Sequence, residues 1–129
     1  MALLSGGHAA TDLPQGAVAA LLVFWRPELG LSYTEVTAVV LVAAFSSSVI
    51  QPFFGIWSDR HGMAWLLPTG ILVSGLGIGL ASVAPSYPLL LLFVFISGVG
   101  VAAYHPEASK FAKYVSGRRR SGGMSLFSI

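Results

Sequence analysis

The sequence predicts an all-α fold, a bundle of helices that crosses a membrane several times. Hydrophobic residues make up 55% of the 129 residues and charged residues only 9%, and the mean hydropathy is +0.80. A soluble domain carries about 25% charged residues, so this chain lacks the charged surface that keeps a soluble protein in water. Long apolar segments joined by short polar turns account for nearly the whole chain. These observations indicate an integral membrane protein.

Four apolar segments are long enough to cross a membrane as helices, and a fifth begins at the end of the sequence. They cover approximately residues 3–25, 33–57, 63–84, 88–108 and 121–129. An α-helix rises about 1.5 Å per residue, so about 20 residues cross a hydrocarbon core about 30 Å thick. The segments therefore predict one membrane domain that includes all 129 residues.

Small residues on the third and fourth segments predict close contact between helices. Gly75 and Gly79 lie four residues apart with Gly77 between them, and the fourth segment holds Gly98 and Gly100. Helices in membranes approach each other most closely where small side chains leave the backbone accessible. We therefore expect these faces to pack against partner helices.

The first segment carries ionisable residues at a depth where they are costly. Its strictly apolar part, residues 16–25, is too short to span, so a spanning helix must include Asp12 and Pro14. A carboxylate in a membrane is expensive unless it faces a cavity or a partner, and His8 lies one turn away on the same face. His8 and Asp12 are thus candidates for a proton site. In the alternative, Asp12 caps a shorter helix that has Pro14 in its first turn.

Further polar residues lie in the second and fourth segments. Gln51 precedes Pro52, which should bend the helix. The amide of Gln51 is more readily explained as a structural group at this kink than as a binding group. His105 and Glu107 are two residues apart, so on a regular helix they point apart. If the helix opens at Pro106, both side chains can reach one water-filled space and take part in gating or proton transfer. The alternative is a structural role at the end of the helix. Only these two candidate ligands are neighbours, so no metal site is expected.

Several classes of function are disfavoured. The chain has no cysteine, which excludes disulfides, thiolate metal sites and cysteine nucleophiles within it. It shows no Ser-His-Asp arrangement and no phosphate-binding loop, so neither an enzyme nor a cofactor is predicted. The net charge of +2 is better explained by membrane topology than by a nucleic-acid partner.

The basic residues predict the orientation of the chain in the membrane. Six of the seven lysines and arginines lie at one side of the predicted bundle, and only Arg26 lies at the other. The six are Arg60, Lys110, Lys113, Arg118, Arg119 and Arg120. Positively charged turns stay in the cytoplasm, so the N-terminus and Asp59 are expected there, with Glu28 and Ser86 outside. The basic run also suits contact with lipid headgroups.

A charged turn joins the second and third segments. It reads Gly55-Ile-Trp-Ser-Asp59-Arg60-His-Gly62. Between two membrane spans this octapeptide resembles the G-x-x-x-D-R-x-G signature of the major facilitator superfamily of transporters; the alternative is an ordinary polar hairpin. The resemblance implies that Gly55, Asp59, Arg60 and Gly62 form a gating motif that helps to hold the cytoplasmic side closed.

Three further stretches resemble the fosmidomycin-resistance branch of that superfamily. They are residues 8–16 with Asp12 and Gln15, residues 30–33 leading to 48–52, and residues 103–108 with His105 and Glu107. The resemblance implies a protein of about twelve helices in two halves, built from inverted three-helix repeats around a central cavity. This chain is then its N-terminal portion, with four helices and the start of a fifth.

The sequence therefore predicts a secondary active transporter of the plasma (inner) membrane that exports small molecules or drugs in exchange for protons. Its partners would be protons, a small-molecule substrate, membrane lipids and the remaining helices of the transporter. Candidate proton or substrate residues are His8, Asp12, Gln15, Gln51, His105 and Glu107. The alternatives are an uptake symporter of the same superfamily or a non-transporting four-helix interaction protein. As a fragment, the chain alone is not expected to transport.

Overall fold

The computed structural model describes residues 2–117 and 120–127, and all the regular elements in these two stretches are helices. They are α1 (Ala2–Glu28), α2 (Tyr33–Ser48), α3 (Gln51–His61), α4 (Leu66–Ser82), α5 (Tyr87–Ser116) and α6 (Arg120–Phe127). The all-α fold class is confirmed. Of the fifth segment, expected over residues 121–129, the last two residues lie outside the described residues.

Helix α1 is continuous over 27 residues and contains Pro14 in its interior. Asp12 therefore lies well inside the helix, and the shorter helix capped by Asp12 does not form. Pro14 cannot donate the backbone hydrogen bond to the preceding turn. The turn before it keeps its regular geometry, and there the Thr11 hydroxyl donates to the Gly7 carbonyl oxygen at 2.7 Å.

The second segment, expected as one helix over residues 33–57, forms two helices that meet at Val49 and Ile50. Both linking residues keep right-handed helical dihedral angles, so the chain is kinked rather than turned. The cause is Pro52, which has no N–H for the carbonyl group four residues earlier. The second part continues to His61, so the charged turn expected over residues 55–62 is helical up to His61. The helix ends at Gly62, whose φ of +60° is a left-handed conformation that glycine adopts without strain.

The start of α2 is fixed by local hydrogen bonds. The Ser32 N–H donates to Glu35 Oε2 at 2.8 Å, and the Glu35 N–H donates back to Ser32 Oγ at 3.3 Å. This is the capping box that the sequence predicts. The capping box therefore fixes the residue at which α2 begins.

Helix α5 is longer than the apolar segment that predicted it. The expected end was near residue 108, whereas the helix runs to Ser116 without opening at Pro106. Hydropathy falls where the chain leaves the membrane, but Ala, Lys and Glu after Pro106 are good helix formers and extend the helix. Gly117, with a φ of +52°, ends it. Because α5 contacts each of the other five helices, it is the central element of the bundle.

Small residues bring α4 and α5 into close contact. A methyl group on Gly70 would lie 2.8 Å from the Gly100 carbonyl oxygen, and one on Gly77 would lie 2.5 Å from the Ser97 backbone nitrogen. The Ser97 hydroxyl donates to the Ser74 carbonyl oxygen across the same contact, at 2.9 Å. Gly75 and Gly79, the pair expected at a helix contact, face open space instead, so the close face passes through Gly77.

Among the described residues, two stretches are long and apolar enough to cross a membrane, namely residues 33–61 and Tyr87–Ser116. Leu66–Ser82 is a shorter apolar helix. The outer surface of the bundle carries many large apolar side chains, including Phe53, Leu76 and Val83. Such a surface is stable against lipid and unfavourable in water.

Candidate functional site

Three of the predicted site residues meet where α1 crosses α5. His8 Nδ1 lies 3.3 Å from Asp12 Oδ2 on the same helix, and His105 Nε2 of α5 lies 3.1 Å from Asp12 Oδ1. Each oxygen of one carboxylate thus faces a different imidazole. We call His8, Asp12 and His105 the His–Asp cluster.

The two histidines of the His–Asp cluster are better covered than its carboxylate. Their rings stack with centroids 5.0 Å apart, and Phe127 of α6 meets the His8 ring edge-on at 4.7 Å. The side chain of Asp12 is 46% exposed, whereas each histidine side chain is 21% exposed. The carboxylate therefore opens toward the outside of this helix bundle, where a solute or another part of the protein can reach it.

The hydrogen bonding of His105 is incomplete, which is unusual for a histidine with a purely structural role. Its Nδ1 atom is buried and has no hydrogen-bond partner in the described part of the chain. Buried polar atoms are usually paired, so an unpaired one requires an explanation such as a functional role. The neighbouring Tyr104 is satisfied, because its hydroxyl donates to the Leu4 carbonyl oxygen at 2.9 Å and fixes α5 against the start of α1.

A second polar group lies between α3 and α5. Glu107 is only 1% exposed, and its Oε2 accepts a hydrogen bond from the Ser58 hydroxyl. Lys110 Nζ donates to the Ser58 carbonyl oxygen at 2.8 Å and lies 3.6 Å from Glu107 Oε2 and 3.6 Å from Asp59 Oδ1. We call Ser58, Asp59, Glu107 and Lys110 the Glu–Lys network. It gives a buried carboxylate both a donor and a positive charge, as burial requires.

The interpretation that His105 and Glu107 reach one space is wrong for this fold. Because α5 stays helical at Pro106, His105 faces α1 and Glu107 faces α3. Sequence reasoning also missed Ser58 and Lys110 as partners of Glu107. The three-residue spacing from Glu107 to Lys110 was a visible signal. The contact with Ser58 depends on tertiary packing.

Three of the remaining predicted residues line a cavity of about 590 Å³. Gln51, Gly55 and Asp59 line this cavity together with Pro106, Ser109, Lys110, Lys113 and Tyr114. Gly55 faces α5, since a methyl group there would lie 3.7 Å from Pro106 Cβ. Gln15 and Arg60 are exposed, and Gly62 ends α3.

The number of neighbouring metal ligands was underestimated from the sequence. Counting only His105 and Glu107 as neighbours gave two ligands and no expected metal site. The fold brings His8, Asp12 and His105 together, with one ligand atom from each and all three atoms within 4.8 Å of one another. The corrected set contains two imidazoles and one carboxylate.

Comparison with known proteins agrees with this architecture. The model of the Major Facilitator Superfamily matches residues 4–129. The fosmidomycin resistance protein of Escherichia coli (strain K12) is 30% identical over 126 residues, which are 98% of this chain and 31% of that protein. An uncharacterized transporter of the same superfamily from Bacillus subtilis (strain 168), YfnC, is 30% identical over 95% of this chain and 30% of its own length.

A more distant relative is the sialic acid transporter NanX of Escherichia coli (strain K12), 26% identical over 67% of this chain and 22% of that protein. No solved structure matches the chain. The chain spans about a third of the length of the fosmidomycin resistance protein and of YfnC. The family match covers nearly every residue, including both polar groups described above. The chain is therefore an integral membrane protein that belongs to the major facilitator superfamily of transporters.

Proposed function

We propose that this chain is part of a proton-coupled exporter of small molecules, in which Asp12 takes up and releases the coupling proton. The observation that supports this most directly is the His–Asp cluster, in which a half-exposed carboxylate contacts imidazoles from two helices. Ionisable groups within membrane helices commonly mark proton or substrate pathways. Membership of a transporter family makes an enzymatic role for these residues the less economical explanation.

The geometry suggests how a proton would alter the contact between α1 and α5. An ionised Asp12 only accepts hydrogen bonds, and both oxygens face ring nitrogens of His8 and His105. A proton on one oxygen turns that atom into a donor, so the facing imidazole must change its tautomer or move. Proton binding would thereby change the interaction that joins the two helices, which is the requirement for coupling a local charge to a helix rearrangement.

The Glu–Lys network supports a gating role at the other polar site. Asp59 belongs to the last turn of α3, and Lys110 connects it to α5. We propose that Asp59 and Arg60 of α3, together with Gly55 in the same helix and Gly62 at its end, stabilise the closed cytoplasmic side. Gln51 lines the adjoining cavity and is proposed to hydrogen-bond a passing substrate. Gln15, exposed one turn beyond Asp12, is proposed for the same role.

Export is favoured because one relative is named for resistance to fosmidomycin, and removal of a toxic compound confers resistance. A relative named as a sialic acid transporter keeps uptake as the second candidate. The two directions require opposite proton gradients. In inverted membrane vesicles with an acidic interior, an exporter accumulates its substrate, whereas a proton symporter accumulates it in right-side-out vesicles placed in acidic medium.

The experiment uses the full-length protein in inverted vesicles, with labelled fosmidomycin and labelled sialic acid as probes. We expect Asp12→Asn to reduce gradient-driven accumulation to the level of vesicles without the protein. Glu28→Gln is the matched control, because it changes an exposed carboxylate at the end of the same helix and should leave accumulation unchanged. Accumulation by Asp12→Asn equal to that of the control, at equal protein amounts, would refute the proton role of Asp12.

A further inference from the structure

We propose that the His–Asp cluster also binds a divalent transition-metal ion, with Zn²⁺ as the ion that fits best. This inference goes beyond the transport proposal and does not depend on proton coupling. It rests on the identity, spacing and exposure of His8, Asp12 and His105.

The ligand atoms already lie close to the separations that a metal requires. Zinc bonds to imidazole nitrogen and carboxylate oxygen are about 2.0–2.2 Å long, so neighbouring ligand atoms of a tetrahedral site are about 3.3 Å apart. The carboxylate oxygens of Asp12 lie 3.3 Å from His8 Nδ1 and 3.1 Å from His105 Nε2. All three ligand atoms fall within 4.8 Å of one another, so small side-chain movements suffice to close around an ion.

The backbone holds the ligands in place. His8 and Asp12 are four residues apart on α1, the same spacing at which the two histidines of H-E-x-x-H bind zinc from one helix face. The third ligand comes from α5, and the adjacent Tyr104 hydroxyl anchors that helix to the Leu4 carbonyl oxygen. Two helices thus supply the ligands, and Phe127 contacts the His8 ring edge-on.

The donor set selects the class of metal. Two imidazoles and one carboxylate suit Zn²⁺ and neighbouring transition metals, whereas Mg²⁺ and Ca²⁺ prefer oxygen ligands alone. Three protein ligands leave one position of a tetrahedral zinc ion open. The 46% exposure of the Asp12 side chain provides room for a water molecule at that position.

The ordinary explanation is that the cluster only hydrogen-bonds α1 to α5. The sequence offers a sharp way to separate the two explanations, because this chain has three histidines and no cysteine. Two of the histidines belong to the cluster, and the third, His61, is exposed at the end of α3. His61 therefore provides a control histidine within the same chain.

The test is a titration of purified full-length protein, without a polyhistidine tag, with Zn²⁺ in competition with a chromophoric chelator. We expect a site whose affinity falls at least about tenfold in His8→Gln, in Asp12→Asn and in His105→Gln, as loss of a direct ligand should exceed the effect of its outer partners. His61→Gln should keep the wild-type affinity, and Mg²⁺ should not displace Zn²⁺. Absence of Zn²⁺ binding, or equal affinity in all four variants, would overturn the proposal.

A second measurement removes the dependence on variants that fold poorly. X-ray absorption at the zinc edge of the wild-type protein loaded with one Zn²⁺ should show scattering from two imidazole rings. A bound ion that is surrounded by oxygen alone contradicts the site. Because both measurements need no transport, Zn²⁺ binding can succeed while Asp12→Asn still transports, so the metal proposal and the proton proposal fail independently.

Discussion

The Glu107 carboxylate illustrates at the residue scale how this bundle tolerates a charge. It is buried, and the Ser58 hydroxyl and Lys110 ammonium group compensate it from two directions. Lys110 is partly exposed and also faces Asp59, so solvent weakens its attraction to Glu107. The largest energetic effect should therefore come from leaving Glu107 buried without the ammonium group, rather than from the net strength of the pair.

We expect Lys110→Met to lower the free energy of unfolding of the full-length protein by about 1–3 kcal/mol, the usual cost of an incompletely satisfied buried polar group. Lys113→Met is the control, since Lys113 is exposed on the same helix and its loss should change stability by less than about 0.5 kcal/mol. Unfolding in a denaturing detergent, followed by tryptophan fluorescence, measures both variants.

Adding Glu107→Gln to Lys110→Met should recover part of the loss, because the double variant no longer buries an uncompensated charge. If Lys110→Met is no less stable than Lys113→Met, then Lys110 does not stabilise Glu107. Recovery by the double variant is the sign that separates electrostatic compensation from simple loss of side-chain contacts.

At the scale of helices, the sequence predicts where apolar segments lie but not which of their faces touch. The one-turn spacing of His8 and Asp12 predicts that they share a face, and Pro52 predicts the bend between α2 and α3. His105 joins His8 and Asp12 only because α5 crosses α1 at that height. That crossing depends on tertiary packing, which one sequence does not specify. The extra length of α5 was missed because hydropathy reports depth in the membrane and not helix length.

The glycines of α4 allow a paired test of the close contact with α5. Gly77→Ala places a methyl group 2.5 Å from the Ser97 backbone nitrogen, so the helices must move apart, at a cost of about 1–3 kcal/mol. Gly75→Ala meets no atom within 4 Å and should instead stabilise the helix, by about 0.5–1 kcal/mol. Thermal unfolding of the two full-length variants in detergent should shift in opposite directions. Equal shifts would mean that α4 does not approach α5 through Gly77.

For the whole molecule, the described lysines and most of the described arginines lie at one end of the bundle. Lys110 Nζ lies 3.6 Å from Asp59 Oδ1, so the end of α3 and the last turns of α5 meet. Arg60 and Lys113 lie at this end as well, whereas Arg26 lies at the other and stacks on Tyr33 with its guanidinium 4.3 Å from the ring centroid. Arg118 and Arg119 lie outside the described residues.

This distribution predicts that the turn between α3 and α4 faces the cytoplasm and the turn between α4 and α5 faces outward, because basic ends are retained in the cytoplasm. The 129 residues contain no cysteine, so single cysteines can be placed at Ala64 and Ser86 in a cysteine-free full-length protein. A thiol reagent that does not cross membranes should label Ser86→Cys in intact cells, and label Ala64→Cys only after the membrane is made permeable. The reverse pattern would invert the orientation, and Asp59 would then lie at the outer surface, where it cannot close a cytoplasmic gate.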